Sequence, residues 1–527
     1  MRAEMRTALP PLLAALISAL FAAVVVLFAW QPGLASLADD SVSYLVMAQV
    51  FSPWQAASPP VAEAFAQEAF YPPLYPLLLA LLGAAHDIAR AQVVTALLLA
   101  ACLPLVYLLG TRWLGDRWAA AGAAAVTALL PSLWIHVKGT LSEPLFALVL
   151  LATLCLVEVE QDRQKRRLPL ALAMAALVLT RTVGLVVVAA YAACVLARRD
   201  RTRARALLPV LAAVAAYGVW VLVRPAQTSD VNMGIALEHV RTLSAEAFAG
   251  ILARQANSIA EAWTGALLLF WVEGRPVRVV LAGAVGVLAL TGLTLRFMAR
   301  KPDAWMSAAY LATFLVWPFH DQMTRFLFPV LPVLLLYAFW VPAAGMRRLR
   351  RPAAPAYALL AVLIASLAAP GLAFIHQRAQ AEGPYVEMTD WYRRPDLDDA
   401  RRRAAVHLDL LADMQAIRAL TMPEDRVMWV APSYIALLAN RRGVAAPPAE
   451  LAPAAYRVAV EAAAPDYVFL SIYHPRDTIR DTAWRAGMRA LRGYGEVVHA
   501  RTRPDGSASS VLLRLRARDA AQWRAAR

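Results

Sequence analysis

Six consecutive residues, Asp39-Asp40-Ser41-Val42-Ser43-Tyr44, place two carboxylates directly after a long apolar run. An acid at that boundary can stay ionised and accept a proton from a group presented at the depth of a lipid headgroup. On a helix beginning near Asp40, Tyr44 and Ala48 follow at four-residue spacing, so acid, phenol and small residue share one stripe. Asp40 suits a helix N-cap equally well, and spacing alone does not choose between a cap and a base.

Three further positions carry charge at the ends of apolar segments. Glu143 lies in Leu141-Ser142-Glu143-Pro144-Leu145-Phe146, with Lys138 just before it. A carboxylate at a helix N-terminus is also favoured by the dipole, by about 0.3–1 kcal/mol, which explains Glu143 without chemistry. His320 and Arg325 belong to Phe319-His320-Asp321-Gln322-Met323-Thr324-Arg325-Phe326, where a guanidinium could hold a phosphate bidentately or simply snorkel. Arg181, in Thr180-Arg181-Thr182, is a further cation, open to a structural pairing with one of these acids.

The elements that must position these groups are membrane helices. Of 527 residues, 60% are hydrophobic and 17% charged, with mean hydropathy +0.52, whereas a soluble domain carries about a quarter charged. Apolar segments near 11–30, 91–111, 118–137, 143–159, 206–223, 277–298, 304–319, 326–342 and 355–375 satisfy the length of a spanning helix. Leu168 to Ala197 is too long for one span and is interrupted at Arg181, so it reads as two short helices meeting near the outer face, giving about eleven in all.

The net charge of +15 does not indicate nucleic acid, because the basic residues sit in short loops between spans. With Arg2 and Arg6 inside, the clusters Arg112/Arg117, Arg163–Arg167, Arg198–Arg205, Arg296–Lys301 and Arg347–Arg351 all fall on the cytoplasmic side. The expected topology therefore has a cytoplasmic N-terminus, outward loops 31–90 and 224–276, and an outward tail. The first apolar run exceeds the core of a signal peptide and reads as an uncleaved span. Cys102, Cys155 and Cys194 all lie in apolar runs and offer neither metal spacing nor a disulfide framework.

Within the first loop, Leu74 to Ala85 is apolar but too short to span, and reads as an interfacial helix walling one side of a cavity. Beyond residue 375 the pattern changes. Val427-Met428-Trp429-Val430 and Tyr467-Val468-Phe469-Leu470 read as buried strands, Arg402 to Leu420 as an amphipathic helix, and Val497–Thr502 with Val511–Leu515 as a hairpin. The chain thus divides into a membrane domain over 1–375 and an extracytoplasmic α/β domain over 376–527, to which no chemistry is assigned.

Taken in order, four motifs resemble those of the GT-C superfamily of integral-membrane glycosyltransferases, in particular its bacterial protein-mannosyltransferase-like and aminoarabinose-transferase-like branch. They are Asp40-Ser41-Val42-Ser43-Tyr44, Tyr71-Pro72-Pro73-Leu74-Tyr75-Pro76, Leu141-Ser142-Glu143-Pro144-Leu145-Phe146 and Arg325-Phe326-Leu327-Phe328-Pro329-Val330-Leu331-Pro332. The resemblance places the family's first-loop aspartate on Asp40 and its second outward acid, usually Asp before Pro, on Glu143. Where many members carry His or Glu before the Pro-Pro element this chain has Tyr71, a poor ligand for a divalent ion. Glu68 or His320 could substitute, and the metal stays unassigned.

The resemblance implies an inverting transfer of sugar from a polyprenyl-phosphate donor to an extracytoplasmic acceptor at a bacterial inner membrane. In that scheme Asp40 is the general base, with its carboxyl raised by partial desolvation, and Glu143 orients acceptor or base. Arg325 and Arg181 neutralise the lipid phosphate, while Asp39, Tyr44, Tyr71, Lys138 and His320 border the substrates. The absence of a Gly-rich phosphate loop fits a nucleotide-free donor. Two rivals stand beside this reading: a secondary transporter or lipid flippase, and a catalytically inactive scaffold of the same fold. A transferase predicts convergence of Asp40, Glu143 and Arg325 on an outward cavity; a transporter predicts a site near the bilayer midplane; a scaffold predicts those charges paired and buried.

Overall fold

A computed structural model describes residues 2–29, 39–137, 139–163, 167–197, 203–225, 245–269, 276–315, 317, 322–382, 397–474, 478–479, 482–503 and 506–515. Among the described residues helices dominate up to residue 420, and strands appear only after it.

The first helix, α1 (Arg2–Ala29), turns Phe21 and Val25 into the protein while Leu12, Leu16, Leu20 and Leu27 remain exposed. A helix apolar on both its buried and its exposed faces has lipid for solvent. Among the described residues five helices are long and apolar enough to cross a membrane: Leu9–Ala29, Ile88–Leu114, Pro276–Met298, Met323–Arg348 and Ala354–Gln380. The pair Arg117–Ala128 and Pro131–Val137, bent by 54°, makes a sixth if counted as one span.

Local sequence explains the joints. The helix α5 (Ile88–Leu114) starts at Asp87, whose side chain accepts from Arg90 N at 3.0 Å, and stops at Gly115, which takes φ +67°. Asp116 then caps the next helix, accepting from Trp118 N and Ala119 N at 2.7 and 3.1 Å. Residues 168–197 form two helices, Arg167–Thr180 and Gly184–Ala197, broken at the Arg181 turn. Gly184 is required there, because a Cβ would come within 2.6 Å of the Leu177 carbonyl oxygen.

The first loop is more helical than expected. It holds α2 (Asp39–Phe51), α3 (Pro59–Glu68) and α4 (Leu74–Leu81). Ser41 to Ala48 are all buried, so this stretch of α2 shows no solvent face. It is covered by α3 and α4 and also by the tail. The loop expected over 224–276 contains the helix Ala245–Leu268, which the sequence reading had not identified.

After the helix Leu397–Leu420 come β1 (Arg426–Trp429), β2 (Arg442–Ala445), β3 (Tyr467–Ser471), the short pair β4 (Tyr473–His474) and β5 (Thr478–Ile479), then β6 (Gly495–Thr502) and β7 (Ala508–Leu515). The five-stranded sheet has order β2-β1-β3-β7-β6, with β1 parallel to β2 and β3, and β7 antiparallel to β3 and β6. The strand period of two splits its side chains between two cores. Met428, Val468 and Leu470 pack with Tyr456 and Ala486 on one face. Val427, Trp429, Tyr467 and Phe469 on the other join a core that also contains Val42, Tyr44 and Tyr75 of the first loop.

Candidate active site

Five separated segments bring side chains to one place. Helix α2 presents Asp40 in its first turn and Tyr44 one turn later; the link between α3 and α4 brings Tyr71. Glu143 opens the helix Glu143–Arg163, Arg181 sits at the break between the two short helices, and Arg325 lies on the helix Met323–Leu327.

The contacts form a continuous chain. Tyr71 donates its hydroxyl to Asp40 Oδ1 at 2.5 Å, and Arg325 Nη2 donates to Asp40 Oδ2. The same guanidinium donates through Nε to Glu143 Oε1, which also receives Arg181 Nη1 at 2.8 Å. Arg181 Nη1 further donates to Ser142 Oγ at 3.0 Å, and Ser142 shares a 2.7 Å hydrogen bond with the Tyr44 hydroxyl. The Tyr44 and Tyr71 rings lie 4.8 Å apart and close the circuit. Glu143 is fully buried, and among the described residues its Oε2 has no hydrogen-bond partner.

Two cations set against two carboxylates make a nearly neutral, largely desolvated cluster. Deleting one partner would strand a buried charge at a cost of about 3–5 kcal/mol. Asp40 is the most exposed charged member, its side chain 24% exposed against 19% for Arg181. Burial would raise its carboxyl, but Arg325 beside it and the Tyr71 hydrogen bond more than offset this and hold it below the ordinary carboxylate value. The expectation of a carboxyl raised by desolvation is therefore corrected: desolvation is the largest single influence, and the donors and cations around Asp40 outweigh it only together, so its carboxyl lies below and not above the ordinary range. Burial, reinforced by the Asp40 charge, pushes the Tyr71 phenol up, so it remains a neutral donor.

Beside this cluster is a cavity of about 190 Å³, walled mostly by apolar and aromatic groups such as Phe70, Tyr310, Phe314, Trp317 and Phe326, with Tyr44, Tyr71 and Arg181 at its polar side. Its loop-side wall comes from Phe70, Tyr71 and Pro72 and not from the α4 helix, which the sequence reading had set there.

Of the residues singled out from sequence, Asp40, Tyr44, Tyr71, Glu143, Arg181 and Arg325 meet here. Lys138 and His320 lie outside the described residues, as does the side chain of Asp39. Among the described residues no three His, Cys, Asp or Glu side chains converge as metal ligands. Asp40 Oδ2 and Glu143 Oε1 are met by guanidinium groups, which supply between the two acids the positive charge a divalent ion would bring. This donor set does not fit a metal bridging those acids.

Sequence reasoning missed Ser142, although it stands next to Glu143 in a motif already under scrutiny. It also missed Ser433, on the short helix Pro432–Tyr434 after β1. Glu68, considered only as a substitute metal ligand, instead accepts hydrogen bonds from Ser43 on α2 and from Ser433. Burial raises the Glu68 carboxyl despite those two bonds.

No family model matches the chain, and no curated protein does. Solved structures do match. ArnT from Cupriavidus metallidurans bound to undecaprenyl phosphate aligns with TM-score 0.53 at 14% identity, covering 94% of this chain and 97% of that one. The same enzyme in the apo state gives 0.53 at 13% identity with the same coverage. The archaeal oligosaccharyltransferase AglB from Archaeoglobus fulgidus, in complex with an inhibitory peptide and a dolichol-phosphate, gives 0.51 at 14% identity over 96% of this chain and 74% of that one. These likenesses show that the chain shares the fold of ArnT and AglB.

Proposed function

We propose that the chain is an inverting membrane glycosyltransferase that moves a sugar from a polyprenyl-phosphate-linked donor to an acceptor outside the membrane. The observation that carries this reading is the convergence of Asp40, Glu143, Arg181 and Arg325 beside an apolar, aromatic-lined cavity. The solved relatives of the fold bind undecaprenyl phosphate or dolichol-phosphate, which supports a lipid-phosphate donor. In this reading the membrane is the bacterial inner membrane, with residues 376–527 on its outer side.

The acceptor oxygen attacks the anomeric carbon as the bond from that carbon to the phosphate oxygen breaks, and polyprenyl phosphate leaves. Asp40 takes the acceptor proton. The depressed carboxyl keeps it ionised beforehand, at some cost in basicity. Proton uptake cancels the Asp40 charge and weakens its hold on Arg325, freeing the guanidinium for the phosphate while that group gains negative charge. Glu143 keeps Arg325 and Arg181 in place throughout, and Tyr44 and Tyr71 border the sugar.

The complete pairing of both arginines favours a second reading, a membrane scaffold of this fold without turnover. One experiment separates the two: transfer from a polyprenyl-phosphate sugar in membranes carrying wild type, Asp40→Asn or Asp40→Ala, with expression and folding verified. Loss of a general base lowers turnover by about 10²–10⁴-fold. Undiminished turnover in Asp40→Asn would remove Asp40 from the role of base, and a wild type without turnover towards any donor would leave the scaffold.

A further inference from the structure

The helix carrying Asp40 is buried from Ser41 to Ala48, and part of what buries it is the tail. Ser43, three residues after Asp40, donates its hydroxyl to Glu68 Oε2, and Ser433, 365 residues away from Glu68 in sequence, donates to Glu68 Oε1. Ser433 follows β1, at the carboxyl ends of parallel strands, where the sheet order turns from β2 to β3 about β1. Behind this polar bridge the apolar contacts are continuous: Trp429, Tyr434 and Ile435 of the tail share one core with Val42, Leu45 and Val46 of α2. An exposed ion pair, Arg442 to Glu63 at 3.4 Å, flanks it on α3.

Asp40 and Glu143 have guanidinium partners, whereas the hydrogen bonds to Glu68 come from two hydroxyls. A carboxyl so placed behaves as a fixed hydrogen-bonding hub, able to hold two groups at a set separation.

We infer that the Ser433–Glu68–Ser43 bridge makes the C-terminal domain a positioning element of the active site, fixing the first turn of α2 so that Asp40 meets both Arg325 and the acceptor. This rests on the glycosyltransferase reading for its catalytic consequence, but not for the mechanical coupling. Ser433 and Glu68 are positioning residues, acting through α2. A set geometry at the reacting atoms is worth large factors in rate, so a small displacement of Asp40 lowers kcat while leaving the cavity, and hence donor KM, in place.

The test uses the full chain in lipid nanodiscs, with Ser433→Ala, Glu68→Ala, Glu68→Gln and, as a control at the same interface, Arg442→Ala. Amide hydrogen exchange over residues 39–51 reads the coupling without reference to activity. Exchange should quicken about five-fold in Ser433→Ala, the factor that one hydrogen bond supplies, and more in Glu68→Ala. It should be unchanged in Arg442→Ala. The Gln side chain offers an oxygen to one serine and an N–H to the other, so Glu68→Gln should restore both slow exchange and kcat. Unaltered exchange in Ser433→Ala overturns the proposal. So does a Glu68→Gln variant as impaired as Glu68→Ala, because the carboxyl would then be needed for its proton and not for its shape. A wild type that transfers no sugar counts against the glycosyltransferase reading alone, and the exchange data still decide the coupling.

Discussion

Asp40 is held by two donors of different strength, a guanidinium and a phenol, and each stabilises its ionised form. Tyr71→Phe removes the weaker one. Loss of a hydrogen bond to a charged group costs about 2 kcal/mol, and the Asp40 carboxyl should move up. Because the base must be ionised, the acid limb of the pH profile of kcat/KM should shift to higher pH in Tyr71→Phe. The sign for stability follows from the same depression: the folded value lies below the unfolded one, so the contribution of Asp40 is present above the unfolded value and lost as pH falls through the folded one. A pH profile of Tyr71→Phe with an unmoved acid limb would show that Asp40 does not govern it.

At the scale of the element, the break that delivers Arg181 depends on one glycine. A methyl group at Gly184 would lie 2.6 Å from the Leu177 carbonyl oxygen and 2.9 Å from Val178 N, forcing the two short helices apart. Overpacking of this kind costs about 1–3 kcal/mol. Gly184→Ala should therefore lower the melting temperature in detergent and, by displacing Arg181 from Glu143, reduce transfer. Gly218, whose added methyl meets nothing within 4 Å, is the matched control, and Gly218→Ala should leave both unchanged. Equal behaviour of the two variants would mean that the turn is not under close steric constraint.

For the whole molecule, the first loop, including α2, and the tail share one core. The proposed orientation puts the site, the loop and the sheet on the same side, with the clusters Arg198–Arg205 and Arg347–Arg351 on the other. Alkaline phosphatase, active only outside the cytoplasm of a bacterium, reports this directly. A fusion after Glu382 should be active and a fusion after Arg350 inactive; the opposite pattern would invert the topology and place Asp40 on the cytoplasmic side.

The sequence by itself determined the solvent, the helical character up to residue 420, four strands of the tail (β1, β3, β6 and β7, but not β2, β4 or β5) and most of the residues that converge at the site. Those features follow from local composition, period and capping, as at Asp87, Gly115 and Asp116. Asp40, Glu143, Arg181 and Arg325 were legible because a charge at the end of an apolar run is costly, and therefore conspicuous, and Tyr71 because it precedes the Pro-Pro motif. Only the tertiary structure decided how those charges are shared. Arg325 reaches Asp40 from 285 positions away and Glu143 from 182, so pairing turned a carboxyl expected to rise into one that falls. Ser433 was illegible for the same reason: a serine after a strand carries no signal of its own, and its importance comes from the fold setting it against Glu68, 365 positions away.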